Sequence, residues 1–135
     1  MPAIGIFGAN GRMGRALVNV AQEQKLNLTA ATVRPGSELL GLDAGELAGC
    51  GKIGLALTTT GDESIANADV WVDFTMPEAM LAHLELAVKA KKAMVIGVTG
   101  CMAQRAGAEI AKRAPHVDVI VGTAQLEKIP ELIRT

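Results

Sequence analysis

The feature that most constrains this chain is an alternation. Short apolar runs recur along it, each separated from the next by a stretch with helical spacing. Runs of that kind cannot be joined by tight turns, so they must pair in parallel through crossover helices. Their near-continuous Val, Ile and Ala content fits strands covered on both faces. The residues predict strands at Ala3–Phe7, Leu28–Val33, Ala68–Phe74, Ala93–Val98 and Val117–Val121, with a weaker one at Ile53–Leu57. Helices are expected over Arg12–Gln24, Pro77–Lys89 and Met102–Arg113, and a last short one near Pro130. In the first helix Met13, Ala16, Leu17, Val20 and Ala21 recur at helical spacing. Pro35-Gly36 stops the second strand, and Pro77 suits the first turn of its helix. Gly41 to Lys52, glycine-rich and acidic, reads as a surface loop. The expected architecture is α/β: a doubly wound, Rossmann-like parallel sheet of about six strands in three layers.

Composition narrows what such a sheet can do. At 135 residues the chain is one domain, expected to span residues 1–135. Half of it is hydrophobic but only 2% is aromatic, so the core must be aliphatic, with Trp71 inside it. A net charge of −1 provides no basic field for nucleic acid or an anionic membrane. No apolar run reaches the ~20 residues that span a bilayer, and the N-terminus lacks the pattern of a secretory signal. Cys50 and Cys101 make no disulfide framework. A soluble, cytoplasmic domain, monomeric or weakly self-associating, is expected. Asp62-Glu63 and Asp43 with Glu46 read as solvated surface. Lys89, Lys91 and Lys92 complement a helix end, and Met76, Met80 and Met102 read equally well as lining the groove or as filling gaps in an aromatic-poor core.

The chemistry concentrates in IGIFGANGRMGRAL. Gly8, Gly11 and Gly14 fall just after the first strand and open the first helix. One glycine permits the tight bend, another lets the backbone approach a pyrophosphate, and the third allows close helix–strand contact. A helix N-terminus then offers unpaired N–H groups and partial positive charge to the phosphates. The spacing is GxxGxxG rather than GxGxxG, so position in the βαβ pattern carries the argument. A glycine-lined turn without a ligand is the alternative. At the end of the second strand, Val33 and Arg34 stand where an NAD site places an acid for the ribose diol. A guanidinium suits a 2′-phosphate, which favours NADP(H), with NAD(H) weaker.

These segments carry a resemblance. GANGRMGRAL, RPGSELLGLDAGELAG, DVWVDFTMPEAMLAHL and MVIGVTG resemble the cofactor domain of the 4-hydroxy-tetrahydrodipicolinate (dihydrodipicolinate) reductases, enzymes of lysine biosynthesis, over residues 1 to about 100. The resemblance implies that Gly8, Asn10, Gly11, Arg12, Met13 and Gly14 hold the pyrophosphate and that Arg34 contacts the 2′-phosphate. It implies that Phe74 and Thr75 line the cofactor groove. Gly97, Val98 and Thr99 match a Gly-Thr-Thr turn near the nicotinamide, with Val98 in place of its first threonine. His83 and His116 match no motif of the family's substrate domain. From about residue 98, VTGCMAQRAGAEIAKRAPHVDVIVGTAQLEKIPELI is similar instead to the radical-SAM methylthiotransferases. There the cysteine matching Cys101 is one of three iron–sulfur ligands. The other two have no counterpart here, so no cluster and no metal site is expected.

The expectation is therefore an engineered chimera joined near residue 100, which binds a small-molecule dinucleotide and has no catalytic residues of its own. Two alternatives stand beside it: a truncated reductase with residual oxidoreductase activity, and a folded chimera without a ligand.

Overall fold

The computed structural model describes residues 3–74, 77–98 and 118–121. In chain order they form β1 (Ile4–Phe7), α1 (Arg12–Glu23), β2 (Leu28–Val33), α2 (Ala44–Ala48), β3 (Thr58–Thr59), α3 (Asp62–Ile65), β4 (Val70–Asp73), α4 (Pro77–Lys89), β5 (Ala93–Val98) and β6 (Asp118–Val121). The strands make one sheet in the order β3-β2-β1-β4-β5-β6. Every pairing in it is parallel. The chain builds outward from β1 to β3, returns to lay β4 beside β1, and builds outward again. The order therefore reverses between β1 and β4, and in sheets of this kind the crevice lies outside the carboxyl ends of the strands at that reversal.

Period-two alternation divides the core between the two faces of the sheet. Ile4 and Ile6 of β1, Ala31 and Val33 of β2, Val72 and Val95 meet Leu17 and Val18 of α1 on one face. Phe7, Ala30, Trp71 and Met94 meet Met80, Leu84 and Ala87 of α4 on the other. Helices thus cover both faces, the three-layer arrangement that the apolar strands required. Trp71 is fully buried, and its ring explains Gly5: a Cβ there would lie 2.7 Å from the indole. The indole Nε1 donates to the carbonyl of Ile65 at 3.1 Å, so its polar atom is satisfied within the core.

Two local expectations are corrected. The segment Gly41 to Lys52 is not simply a loop, because α2 lies within it, with Ala44 and Gly45 buried. The run Ile53–Leu57 is not a strand of the sheet; β3 follows it, pairing Thr58 and Thr59 with Thr32 and Val33. The apolar residues of that run do pack on the α1-side core, which is why the sequence reads as a strand. Its hydrogen bonds go elsewhere: Ala44 donates to Leu55, Leu57 to Leu42, and Gly41 to Leu57. In β4 the ladder is shorter than predicted, although Ala68 before it is buried. The helices expected at Met102–Arg113 and near Pro130 lie outside the described residues.

Candidate functional site

The crevice at the carboxyl ends of β1, β2 and β4 is built from the first glycine turn outward. Phe7 is the last residue of β1, and Gly8 turns the chain out of the sheet at φ 63°, the left-handed region that favours glycine. The Ala9 amide donates to Thr32 of β2, and Gly11 donates back to the Gly8 carbonyl at 3.0 Å. Gly11 then caps α1 with no side chain to offer, and no acidic residue stands in the first turn. The first-turn N–H groups of a twelve-residue helix are therefore not used by a side-chain cap, at the site where anions bind best. Gly14 is the buried member: a Cβ there would come within 2.2 Å of the Gly8 carbonyl oxygen and 2.8 Å of Ala9 Cα. Asn10, Gly11 and Arg12 are exposed and Met13 is half-buried.

Arg34 follows β2 directly, exposed, at the head of a turn closed by the Ser37 amide on its carbonyl. Because Phe7 pairs with Thr32, Arg34 and Gly8 leave neighbouring strands on the same edge. Thr60 fixes that edge. Its hydroxyl lies 2.9 Å from the fully buried Thr32 hydroxyl and 3.1 Å from the Val33 carbonyl. Phe74, half-buried, follows β4 and packs against the α1-side core. Gly97 and Val98 end β5, paired with Ile120 and Val121 of β6. Thr75, Thr99 and Cys101 lie outside the described residues. The arrangement thus brings the residues from Gly8 to Gly14, Arg34, Phe74, Gly97 and Val98 to the carboxyl edge of one sheet.

Sequence reasoning missed two polar features. The first is Asp43, read as solvated surface. Its carboxylate accepts from the amides of Glu46, Ile53, Gly54 and Leu55, capping α2 and closing the strap behind it. These bonds, that from Ile53 foremost, hold the carboxyl below its ordinary range against the opposing effect of desolvation. An Asp followed three residues later by Glu before a short helix was the available signal.

The second is a pair behind the crevice. Asp73, the last residue of β4, is fully buried, and its Oδ2 lies 2.7 Å from Nδ1 of His83 on α4. The imidazole stacks on Phe7 at 4.2 Å and 11°, and Phe7 stacks in turn on Trp71 at 4.4 Å. No motif announces this pair; only a lone carboxylate ending an apolar strand hints that a partner must exist. Cys50 is exposed and within 3.5 Å of the Gly45 carbonyl. Among the described residues, no three His, Cys, Asp or Glu side chains converge in a way that could hold a metal ion.

A parallel sheet with one strand-order reversal, covered on both faces and opened by a glycine turn, defines the Rossmann-like class of α/β domain. Within that class, the family model "Dihydrodipicolinate reductase, N-terminus" matches residues 2–124, and the chain belongs to this family. The 4-hydroxy-tetrahydrodipicolinate reductase of Acinetobacter baumannii (strain AYE) is 48% identical over 119 residues, 88% of this chain and 43% of the relative. That of Pseudoalteromonas atlantica is 44% identical over 121 residues, 89% of this chain and 45% of the relative. The chain thus spans less than half the length of these curated relatives. Among solved structures, dipicolinate-bound dihydrodipicolinate reductase from Paenisporosarcina sp. TG-14 shares the fold with a TM-score of 0.53. It is 20% identical, with 91% of this chain and 47% of that one covered.

The family match corrects the reading of the C-terminal third. It runs through residue 124, so residues 101–124 belong to the reductase domain rather than to a second family. A junction near residue 100 and a methylthiotransferase segment find no support in these comparisons. No helix among the described residues is long and apolar enough to cross a membrane.

Proposed function

We propose that this chain is a dinucleotide-binding domain that holds NADP(H) in preference to NAD(H). The observation that carries the reading is the turn from Gly8 to Gly14, which opens on an N-terminus of α1 with no side-chain cap, beside the strand-order reversal. The residues fit a pyrophosphate there. Among the described residues, a Cβ at Gly11 would touch only the Gly8 carbonyl oxygen, at 3.4 Å, which leaves the helix face at that position open to a ligand. The backbone N–H groups of Arg12 and Met13 would donate to the phosphates, and Asn10 and the Arg12 guanidinium flank them. Arg34 would pair with the 2′-phosphate from the end of β2. Phe74, Thr75, Gly97, Val98 and Thr99 would border the nicotinamide half, on the β4 and β5 side of the reversal.

A bound nicotinamide supplies a hydride. What this domain's residues supply is binding, orientation and a surface on which that ring lies. Family membership favours one second reading, that the chain takes part in the reduction its relatives' names describe, on 4-hydroxy-tetrahydrodipicolinate. Calorimetric titration with NADPH and NADH tests the first reading. Oxidation of NADPH in the presence of that substrate tests the second.

A further inference from the structure

The His83–Asp73 pair is a polar contact at the centre of the sheet that neither the fold nor the phosphate turn explains. Asp73 occupies the last rung of β4, in register with Phe7 of β1 and Ile96 of β5. One row across the centre of the sheet therefore ends the strands that release Gly8 and Phe74. That row forms the floor beneath the crevice. The side chain of His83 reaches it from α4 and makes two different contacts there. It bonds the Asp73 carboxylate at 2.7 Å and lies flat on the Phe7 ring. An apolar side chain of similar shape would have satisfied the packing alone. Burying a carboxylate at this rung is costly without a hydrogen-bonded partner, so the pair constrains where β4 can end.

We propose that His83 is a positioning residue for the nicotinamide half of the cofactor: acting through Asp73, it fixes the exit of β4 and hence the backbone at Phe74. The proposal rests on the dinucleotide reading above. It makes a directional statement, because the adenine half of a dinucleotide lies over β1 and β2 while the other half crosses to the β4 side. A residue that positions β4 should affect the whole cofactor and leave the adenine half alone.

The test uses the full chain and two ligands, NADPH and its adenine half, 2′-phosphoadenosine diphosphate. His83→Phe keeps a ring on Phe7 and removes the hydrogen bond. His83→Asn removes the ring and keeps a donor at the position of Nδ1. The expected result is a loss of about tenfold in NADPH affinity for His83→Phe, the scale of one charge-assisted hydrogen bond. Affinity for the adenine half stays at the parent value, and His83→Asn recovers most of the NADPH affinity. Equal losses for both ligands, or no loss for either, would overturn the positioning role. A fold defect is separated by circular dichroism. Should His83→Phe fail to fold, Asp73→Asn is read by the same ratio of the two affinities. A parent chain that binds neither ligand would remove the dinucleotide reading itself, and this role with it. A parent that binds both while the variants show no split would remove this role alone.

Discussion

At the scale of single residues, Gly14 and Gly11 of the phosphate turn have separable roles. Gly14 is glycine because of packing: its Cβ would collide with backbone atoms of Gly8 and Ala9, which have nowhere to move. Gly14→Ala should destabilise the fold by about 1–3 kcal/mol, as overpacking does, read by denaturant unfolding followed through Trp71. Gly11 is at φ −76°, which any residue adopts, and its Cβ would meet one atom at ordinary contact distance. Gly11→Ala should leave stability within about 0.5 kcal/mol and still weaken NADPH, since the added methyl stands on the face offered to the phosphates. Arg34→Ala should weaken NADPH by about 1.5–3 kcal/mol and leave NADH unchanged; equal losses would misplace the 2′-phosphate. All three positions were legible in the sequence, because glycine spacing and the residue ending the second strand speak directly about backbone approach and charge. His83 was not. Its partner lies ten positions away on a different element, and nothing in local spacing tells a core histidine from one that holds a carboxylate.

Among the elements, the strap from Gly41 to Leu57 shows where sequence reading failed and why. Glycines and acids there suggested solvated loop, and Ile53, Leu55 and Leu57 suggested a strand. In fact Asp43 gathers four amides and turns the segment into a short helix with an antiparallel return. One carboxylate organises both halves, and its effect is non-local, so neither half reveals it alone. Gly45 is held close as well: a Cβ would lie 2.2 Å from the Gly51 carbonyl oxygen. Asn19 of α1 donates to the Ala48 carbonyl at 3.0 Å, docking the far end of α2 against the main core. The carboxyl of Asp43 titrates below its ordinary value of 3.8 in the folded chain. Its contribution is therefore complete above that ordinary value and is lost as pH falls through the lower, folded one. Hydrogen exchange at Ile53, Gly54 and Leu55 should show protection lost in that acid window, before the sheet amides open. Asp43→Asn should remove the pH dependence and lower protection at all pH values. Uniform loss across the sheet and the strap together would contradict the local role.

For the whole molecule, the same periodicity that predicted the fold also distributes its stability. Each central strand divides its residues between an α1-side and an α4-side core, so neither helix can be lost without uncovering a face. Leu84, fully buried on the sheet-facing side of α4, should cost about 2–5 kcal/mol on truncation to Ala, measured by chemical denaturation. Parallel pairing and the doubly wound class were legible because short apolar runs between helices admit few alternatives. The extent of the family was not. The reductase match continues to residue 124, beyond the last segment whose resemblance is obvious by eye.

The central claim is that the glycine turn, the uncapped α1 terminus and Arg34 form one working dinucleotide site. Isothermal titration of the parent chain with NADPH and, separately, with NADH tests it most directly. The account predicts saturable one-to-one binding of NADPH, with NADH weaker by the margin that Arg34→Ala removes. A folded chain that gives no heat with either cofactor, or that binds NADH the more tightly, would contradict it.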